Sequence, residues 1–98
     1  MQNTKNKTLN LVLTHKWFDE IAFGRKQVEY RRGTQYWLTR IRKMRDCDFV
    51  VFHRGYTNQT MIRLITRIEY INGRDVPAEE RKYLNVYNDN TVIAIHFI

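Results

Sequence analysis

Five stretches of the chain alternate or concentrate apolar residues in a way that is typical of β-strands. Apolar and polar residues alternate in "LNLVLT" (9–14) and in "KQVEYRR" (26–32). β-branched and aromatic residues dominate "DFVVFH" (48–53), and "TVIAIHFI" (91–98) is almost entirely apolar. The longest candidate is "TMIRLITRIEYI" (60–71), which lies between the turn signals "RGYTNQ" and "NG". The pattern therefore predicts five strands.

Alternation within the longest predicted strand separates apolar from charged residues. The residues expected on one face are Ile62, Leu64, Ile68 and Tyr70, and those expected on the other are Arg63, Arg67 and Glu69. This assignment implies a regular period of two along the strand.

A first helix is predicted in "HKWFDEIAFG" (15–24). Trp17 and Ile21 lie four residues apart, which is the spacing of one helical face. Thr14 is a suitable N-cap, since its hydroxyl can accept from the first turn, and Gly24 is a suitable C-terminal cap. The start and the end of this helix are therefore both predicted.

Two further helices are predicted from similar signals. Gly33 interrupts the second strand, and "TQYWLTRIRKMR" (34–45) follows as a helix with Thr34 as its N-cap. A short helix is predicted in "DVPAEERKYL" (75–84), where Pro77 suits the first turn.

These elements give the order β-α-β-α-β-β-α-β in a single α+β domain. Residues 9–98 are expected to form this domain, because 98 residues suffice for one modest core, and the polar residues 1–8 are expected to be a flexible lead-in. Hairpin-length turns favour a mixed or antiparallel sheet. Five strands of this length can close into a small barrel with helices packed around it.

Charge narrows the class of partner. The chain carries 17 Lys and Arg against 10 Asp and Glu, which gives a formal net charge of +7. A surplus of this kind most often serves a polyanion, and nucleic acid is the commonest one. An acidic protein partner is the alternative that the charge leaves open.

Other residue types argue against several kinds of site. Cys47 is the single cysteine, so an internal disulfide and a Cys-based zinc site are excluded, and a reducing cytosol is the natural compartment. The three histidines show no ligand spacing, and no nucleotide-binding glycine motif is present. No signal peptide and no apolar run of the ~20 residues that span a bilayer is found. We therefore expect a cytoplasmic protein without metal or cofactor.

The stretch "GRKQVEYRR" (24–32) and the helix before it resemble a known family. Lys16, Trp17, Phe18 and Ile21 follow the pattern K-[YWF]-F-x-x-I, and Gly24, Lys26, Glu29 and Arg31 follow G-x-K-x-x-E-x-R. In this order and position the two patterns are similar to those of the ASCH domain family in the PUA-like superfamily. The resemblance covers 9–98 in element order. It implies a small PUA-like β-barrel of five or six mostly antiparallel strands, with two or three short helices packed around it.

The same resemblance implies a cleft, lined by the motif, that binds RNA or other nucleic acid. Some small members resemble ribonucleases, and one branch consists of acetylcytidine amidohydrolases that use a Lys, a Thr and a Glu. Lys26 matches the Lys of that branch, whereas Glu29 stands at the Thr position and no Glu is identified as the third member. This departure favours binding over hydrolysis.

We therefore predict a nucleic-acid site around Lys26, Glu29 and Arg31. On an extended strand Glu29 and Arg31 point to the same face, and Lys26 can swing over it. The two cations would hold a phosphate, while the carboxylate orients Arg31 or accepts from a base amino group. In the enzymatic alternative Lys26 is the reactive group, with Glu29 in the catalytic set. A plain ion pair beside the barrel mouth is the structural alternative.

Further contacts are predicted on two neighbouring elements. In the turn "HRGY" (53–56), Arg54 would contact phosphate and Tyr56 would stack on a base. The second helix offers a row of cations, named here the basic ridge, which consists of Arg40, Arg42, Lys43 and Arg45. An ordinary loop and a solvated helix face are the alternatives. The full predicted set is Lys26, Glu29, Arg31, Arg32, Arg40, Lys43, Arg54 and Tyr56.

Overall fold

A computed structural model of the chain describes residues 8–43 and 47–98. Its strands and helices are β1 (Thr8–Leu13), α1 (His15–Ala22), β2 (Val28–Arg32), α2 (Gln35–Lys43), β3 (Phe49–Arg54), β4 (Thr60–Asn72), α3 (Ala78–Leu84) and β5 (Thr91–Phe97). The predicted element order is confirmed. Of the predicted lead-in, residues 1–7 lie outside the described residues, as does Arg45 of the basic ridge.

The five strands form one mixed sheet in the order β1-β3-β4-β5-β2. β1 and β3 are parallel, and the other three pairings are antiparallel. The sheet curls into a half-barrel, so β1 and β2 are its two edges. The predicted α+β class and mixed sheet are therefore confirmed at this level.

The main core lies between the inner face of the sheet and α1. Leu9, Leu11 and Leu13 are buried at alternate positions of β1, as the period of two requires. The rest of the core comprises Trp17, Phe18 and Ile21 of α1, Ile41 of α2, Val50 and Phe52 of β3, Ile93, Ile95 and Phe97 of β5, and Cys47, which precedes β3. Across the described parts of the chain, no helix has the length and hydropathy that a membrane span requires.

The predicted N-caps Thr14 and Thr34 and the predicted glycine at the end of α1 are confirmed. The Thr14 hydroxyl accepts from the backbone N–H of Trp17 at 3.4 Å, and Thr34 accepts in the same way from Trp37 at 3.4 Å. Gly24 follows α1 with φ +80°, a conformation that side chains with a Cβ disfavour. This glycine turns the chain toward β2 and thereby sets where the next residues point.

The face assignment within β4 is wrong. Ile62 and Leu64 are 57% and 42% exposed, whereas Ile65 and Ile68 pack against the main core. The cause is an irregularity in the pairing of β4 with β5 between Ile65 and Arg67, because one extra residue reverses which face the following side chains occupy.

Two identical substitutions in β4 test this assignment. Ile65→Thr should lower the free energy of unfolding by about 1–3 kcal/mol, because it places a hydroxyl against the core. Ile62→Thr is the control and should change it by less than about 0.5 kcal/mol, since the site is exposed and threonine keeps the β-branch. Urea denaturation measures both values. Equal losses in the two variants would contradict the observed face of β4.

Candidate functional site

Four charged side chains meet beside β2, and they are named here the charged cluster: Lys26, Glu29, Arg31 and Glu80. Lys26 and Glu29 are only 7% and 6% exposed. The Lys26 ammonium bonds to the Glu80 carboxylate and lies 3.4 Å from Glu29 Oε1. The other oxygen of Glu29 accepts from Arg31 Nε at 2.9 Å. Two cations and two carboxylates thus form one connected network.

The register of β2 explains why charges lie on the inner side of the sheet. Glu29 pairs with Ile95 and Arg31 with Ile93, and directly opposed residues share a face of the sheet. Both isoleucines belong to the main core. Glu29 and Arg31 therefore share the face of the main core, while Tyr30 between them packs against the smaller cluster of Val76, Val86 and Val92.

Arg31 connects the two edges of the half-barrel. Its Nη2 donates to the backbone carbonyl oxygen of Val12 on β1 at 3.1 Å, while Glu29 holds the same guanidinium from β2. The guanidinium also lies 4.8 Å from the centre of the Trp37 ring, a cation–π contact with α2. One side chain thus joins β1, β2 and α2.

The charged cluster contains two cations and two carboxylates, and the pKa of one carboxylate is shifted. Burial raises the pKa of the Glu80 carboxyl above its ordinary value, and the hydrogen bond from Lys26 opposes this rise. The ammonium also lies 5.1 Å from the Trp17 ring centre and 5.2 Å from that of Tyr30. No fully buried side-chain nitrogen or oxygen among the described residues lacks a hydrogen-bond partner. Each of the four side chains thus has an ionic partner, and burial raises the pKa of the Glu80 carboxyl.

A cavity of about 220 Å³ opens beside the charged cluster and is named here the inner cavity. Its lining combines aromatic, charged and apolar side chains: Val12, Leu13, Thr14, Trp17, Glu29, Tyr30, Arg31, Arg32, Trp37, Glu80, Tyr83 and Leu84. Lys26 does not belong to this lining and instead lines a neighbouring cavity with Glu79 and Glu80. Aromatic rings and carboxylates thus face one small space, with arginines also in its lining.

The structure brings most of the predicted site residues to one side of the molecule. Lys26, Glu29 and Arg31 converge in the charged cluster, and Arg32 is exposed and lines the inner cavity. Arg40 lies 5.0 Å from the centre of the Trp37 ring and donates to the carbonyl oxygen of Asn10. Tyr56 is 97% exposed and lines a second, wider cavity together with Arg40.

Two predicted residues have other surroundings. Arg54 makes a bidentate ion pair with Asp19 of α1, with Nε–Oδ1 and Nη2–Oδ2 distances of 3.0 and 3.1 Å. This hydrogen-bonded pair holds the pKa of Asp19 below its ordinary value and ties the end of β3 to α1. Lys43 is exposed at the end of α2 and lines neither the inner nor the wider cavity.

Glu80 and Tyr83, which both lie on α3, belong to the site but were not predicted from the sequence. Glu80 bonds to a lysine 54 positions earlier in the chain, so no local spacing could have revealed the pair. Tyr83 lines the inner cavity, with its ring edge-on to Trp17 at 5.7 Å. Only the docking of α3 brings these two residues to the motif.

Comparison of the chain with protein-family models, with curated proteins and with solved structures finds no match. The similarity to ASCH domains therefore stays a prediction from the motif. No group of three or more His, Cys, Asp or Glu residues within 8–43 and 47–98 is arranged to hold a metal ion.

Removing the ammonium tests whether the cluster is held together by charge balance. Lys26→Met should lower the free energy of unfolding by about 3–5 kcal/mol, because two carboxylates lose their shared partner. Lys16→Met is the matched control, since Lys16 pairs with Glu79 of the same helix but on the surface, and should cost no more than about 1 kcal/mol. Urea denaturation at neutral pH measures both values, and equal losses would contradict the central role of Lys26.

The loss caused by Lys26→Met should depend on pH. Without Lys26, burial raises the pKa of Glu80 with less opposition. A carboxyl with a raised pKa contributes stability in acid that is lost as the pH rises through that pKa. The deficit relative to the wild type should therefore be smallest near the ordinary carboxyl value of 4.5 and grow toward neutral pH. A deficit that does not change with pH would contradict this assignment.

Proposed function

We propose that the protein is an ASCH-type domain that binds single-stranded nucleic acid, RNA in particular, and takes one base into the inner cavity. The observation that carries this proposal is the composition of that cavity, in which aromatic rings and a fixed carboxylate lie beside arginines. Sequence-specific RNA binding targets unpaired bases, because these can be turned out and stacked on aromatic side chains.

The inner cavity suits a flat heterocycle. Trp37 and Tyr83 supply ring surfaces, and its volume of about 220 Å³ is below the roughly 300–1,000 Å³ of pockets for drug-sized ligands. Glu29 is held on one side by Arg31 and on the other by Lys26. A carboxylate in this position can accept hydrogen bonds from the exocyclic amino group of a base.

The sugar–phosphate chain would contact cations outside the charged cluster. Lys26 and Arg31 are already balanced by Glu29 and Glu80. Among the described residues, by contrast, neither Arg32 nor Arg40 has a carboxylate within ion-pair distance, and Arg32 is exposed. These two arginines therefore supply the unbalanced positive charge that a phosphate needs.

The position of the charged cluster supports the ASCH component of the proposal. Three of its members belong to the motif G-x-K-x-x-E-x-R, and the motif lies next to the inner cavity, where the resemblance expects a cleft. The half-barrel agrees with part of the expected PUA-like barrel.

A matched pair of tyrosines tests base binding. Tyr83→Ala should raise the Kd for a labelled single-stranded RNA about 5- to 150-fold, since base stacking on an aromatic ring contributes about 1–3 kcal/mol. Tyr87→Ala is the control, because Tyr87 is also exposed but does not line the inner cavity, and should leave the Kd unchanged. Fluorescence anisotropy measures both values.

Salt dependence separates this function from a basic surface that binds an acidic protein. The logarithm of the RNA affinity should fall with the logarithm of salt concentration by about 0.7 for each phosphate contacted. Arg32→Ala should reduce that slope, whereas Arg74→Ala, an exposed arginine outside the inner cavity, should reduce it less. Absence of RNA binding at low salt would refute the proposal and leave the acidic partner as the explanation of the charge.

A second candidate function is hydrolysis of a modified nucleoside or of RNA. The observation that favours it is the part-buried contact between Lys26 and Glu80, because burial raises the pKa of the carboxyl and so suits proton transfer at the wall of the cavity. Glu80 also supplies a carboxylate next to the motif lysine, which the sequence did not identify.

Incubation with acetylated cytidine and with labelled RNA tests the enzymatic candidate. If Lys26 is the reactive group, Lys26→Arg should abolish turnover while it keeps the positive charge between the two carboxylates. Turnover that survives this substitution removes Lys26 from the mechanism. Lack of turnover by the wild type on both substrates leaves binding as the function.

A further inference from the structure

The inner cavity has a wider neighbour, named here the outer cavity, with a volume of about 560 Å³. The two cavities share three lining residues: Val12, Arg31 and Trp37. A ligand in the inner cavity therefore lies directly beside the outer one.

Two guanidinium groups lie at the shared wall. Arg31 and Arg40 are 4.8 and 5.0 Å from the centre of the same Trp37 ring. Arg31 is fixed by Glu29 and by the Val12 carbonyl, and Arg40 is bonded to the carbonyl oxygen of Asn10. The Asn10 carbonyl is neutral, so it does not balance the positive charge of Arg40.

Exposed aromatic rings line the outer cavity. Tyr56 is 97% exposed in the turn after β3, and Tyr36 is exposed at the start of α2 with its ring edge-on to Trp37 at 5.0 Å. A tyrosine that is exposed to this degree contributes little to folding, and beside an arginine with no carboxylate partner among the described residues it offers a face on which a base can stack.

We infer that the ligand is a single strand of at least two consecutive nucleotides, with the second nucleotide in the outer cavity. The first base occupies the inner cavity, so this inference rests on the proposed function. The connecting phosphate passes Arg40 at the shared wall, and the second base stacks on Tyr56 or Tyr36. A free nucleoside would fill only half of the site, and a paired strand could present neither base.

A ladder of short ligands tests this arrangement by calorimetry. The probes are cytidine monophosphate, the dinucleotide CpC and a CpC analogue whose second residue lacks its base. The three corresponding adenine compounds are measured in the same way. The complete dinucleotide should bind at least about five-fold more tightly than both the mononucleotide and the analogue, because only it stacks a second base. The analogue carries the same connecting phosphate and therefore controls for charge.

Substitutions in the outer cavity test whether it is the source of the tighter binding of the dinucleotide. Tyr56→Ala, alone or together with Tyr36→Ala, should weaken binding of the dinucleotide to about the affinity of the mononucleotide. Tyr87→Ala is the control and should preserve that advantage, since Tyr87 lines neither cavity. The exposure of Tyr56 means that its replacement should not perturb folding, which thermal unfolding verifies.

The failure of this inference and the failure of the proposed function give different results. Equal affinities for the mononucleotide and the dinucleotide would overturn the second subsite while leaving base binding intact. A gain that persists in the base-free analogue, or in the variant without Tyr36 and Tyr56, would also overturn it. If none of the probes and no longer single strand binds, the proposed function itself fails.

Discussion

The Arg31 side chain lies across the opening of a half-barrel, and the arrangement of the whole site depends on its contacts. It donates to Val12 on one edge strand and to Glu29 on the other, while Trp37 of α2 lies against its guanidinium. A sheet that is curled but open would otherwise expose the unpaired groups of both edges. The Arg31 guanidinium pairs with one of these groups, the Val12 carbonyl oxygen. Trp37, on which it stacks, lines both cavities.

Charge in this protein is divided between two environments with different consequences. The charged cluster holds its cations and carboxylates in equal number under the sheet edge, where desolvation makes each charge depend on its partner. Among the described residues outside the cluster, exposed cations such as Arg32, Arg42 and Lys43 contribute to the formal net charge of +7. The cluster therefore fixes the shape of the site and the direction of its hydrogen bonds, whereas the exposed cations would supply the long-range attraction that the proposed polyanionic ligand needs.

The helix α3 completes the site although it is short and comes late in the chain. It places Glu80 on Lys26, Glu79 on Lys16 and Tyr83 against Trp17, so that three contacts join it to α1 and to the turn before β2. Movement of this helix would at once uncover Lys26 and open the aromatic side of the inner cavity. In the proposed function, base binding in the inner cavity and the stability of the charged cluster therefore both depend on α3.

The sequence by itself determined which elements form, because their signals are local. The alternation in β1, the caps Thr14 and Thr34 and the glycine after α1 all act within a few residues, and the structure confirms them. The meeting of Lys26, Glu29 and Arg31 also followed from their spacing on one short segment. The assignment of faces in β4 failed, because an irregular pairing with a distant strand reversed the alternation. Tertiary structure alone decided that Glu80 neutralises Lys26, that the sheet stays an open half-barrel and that two cavities share the Trp37 wall. Each of these depends on contacts between residues far apart in the chain, which no local pattern of side chains encodes.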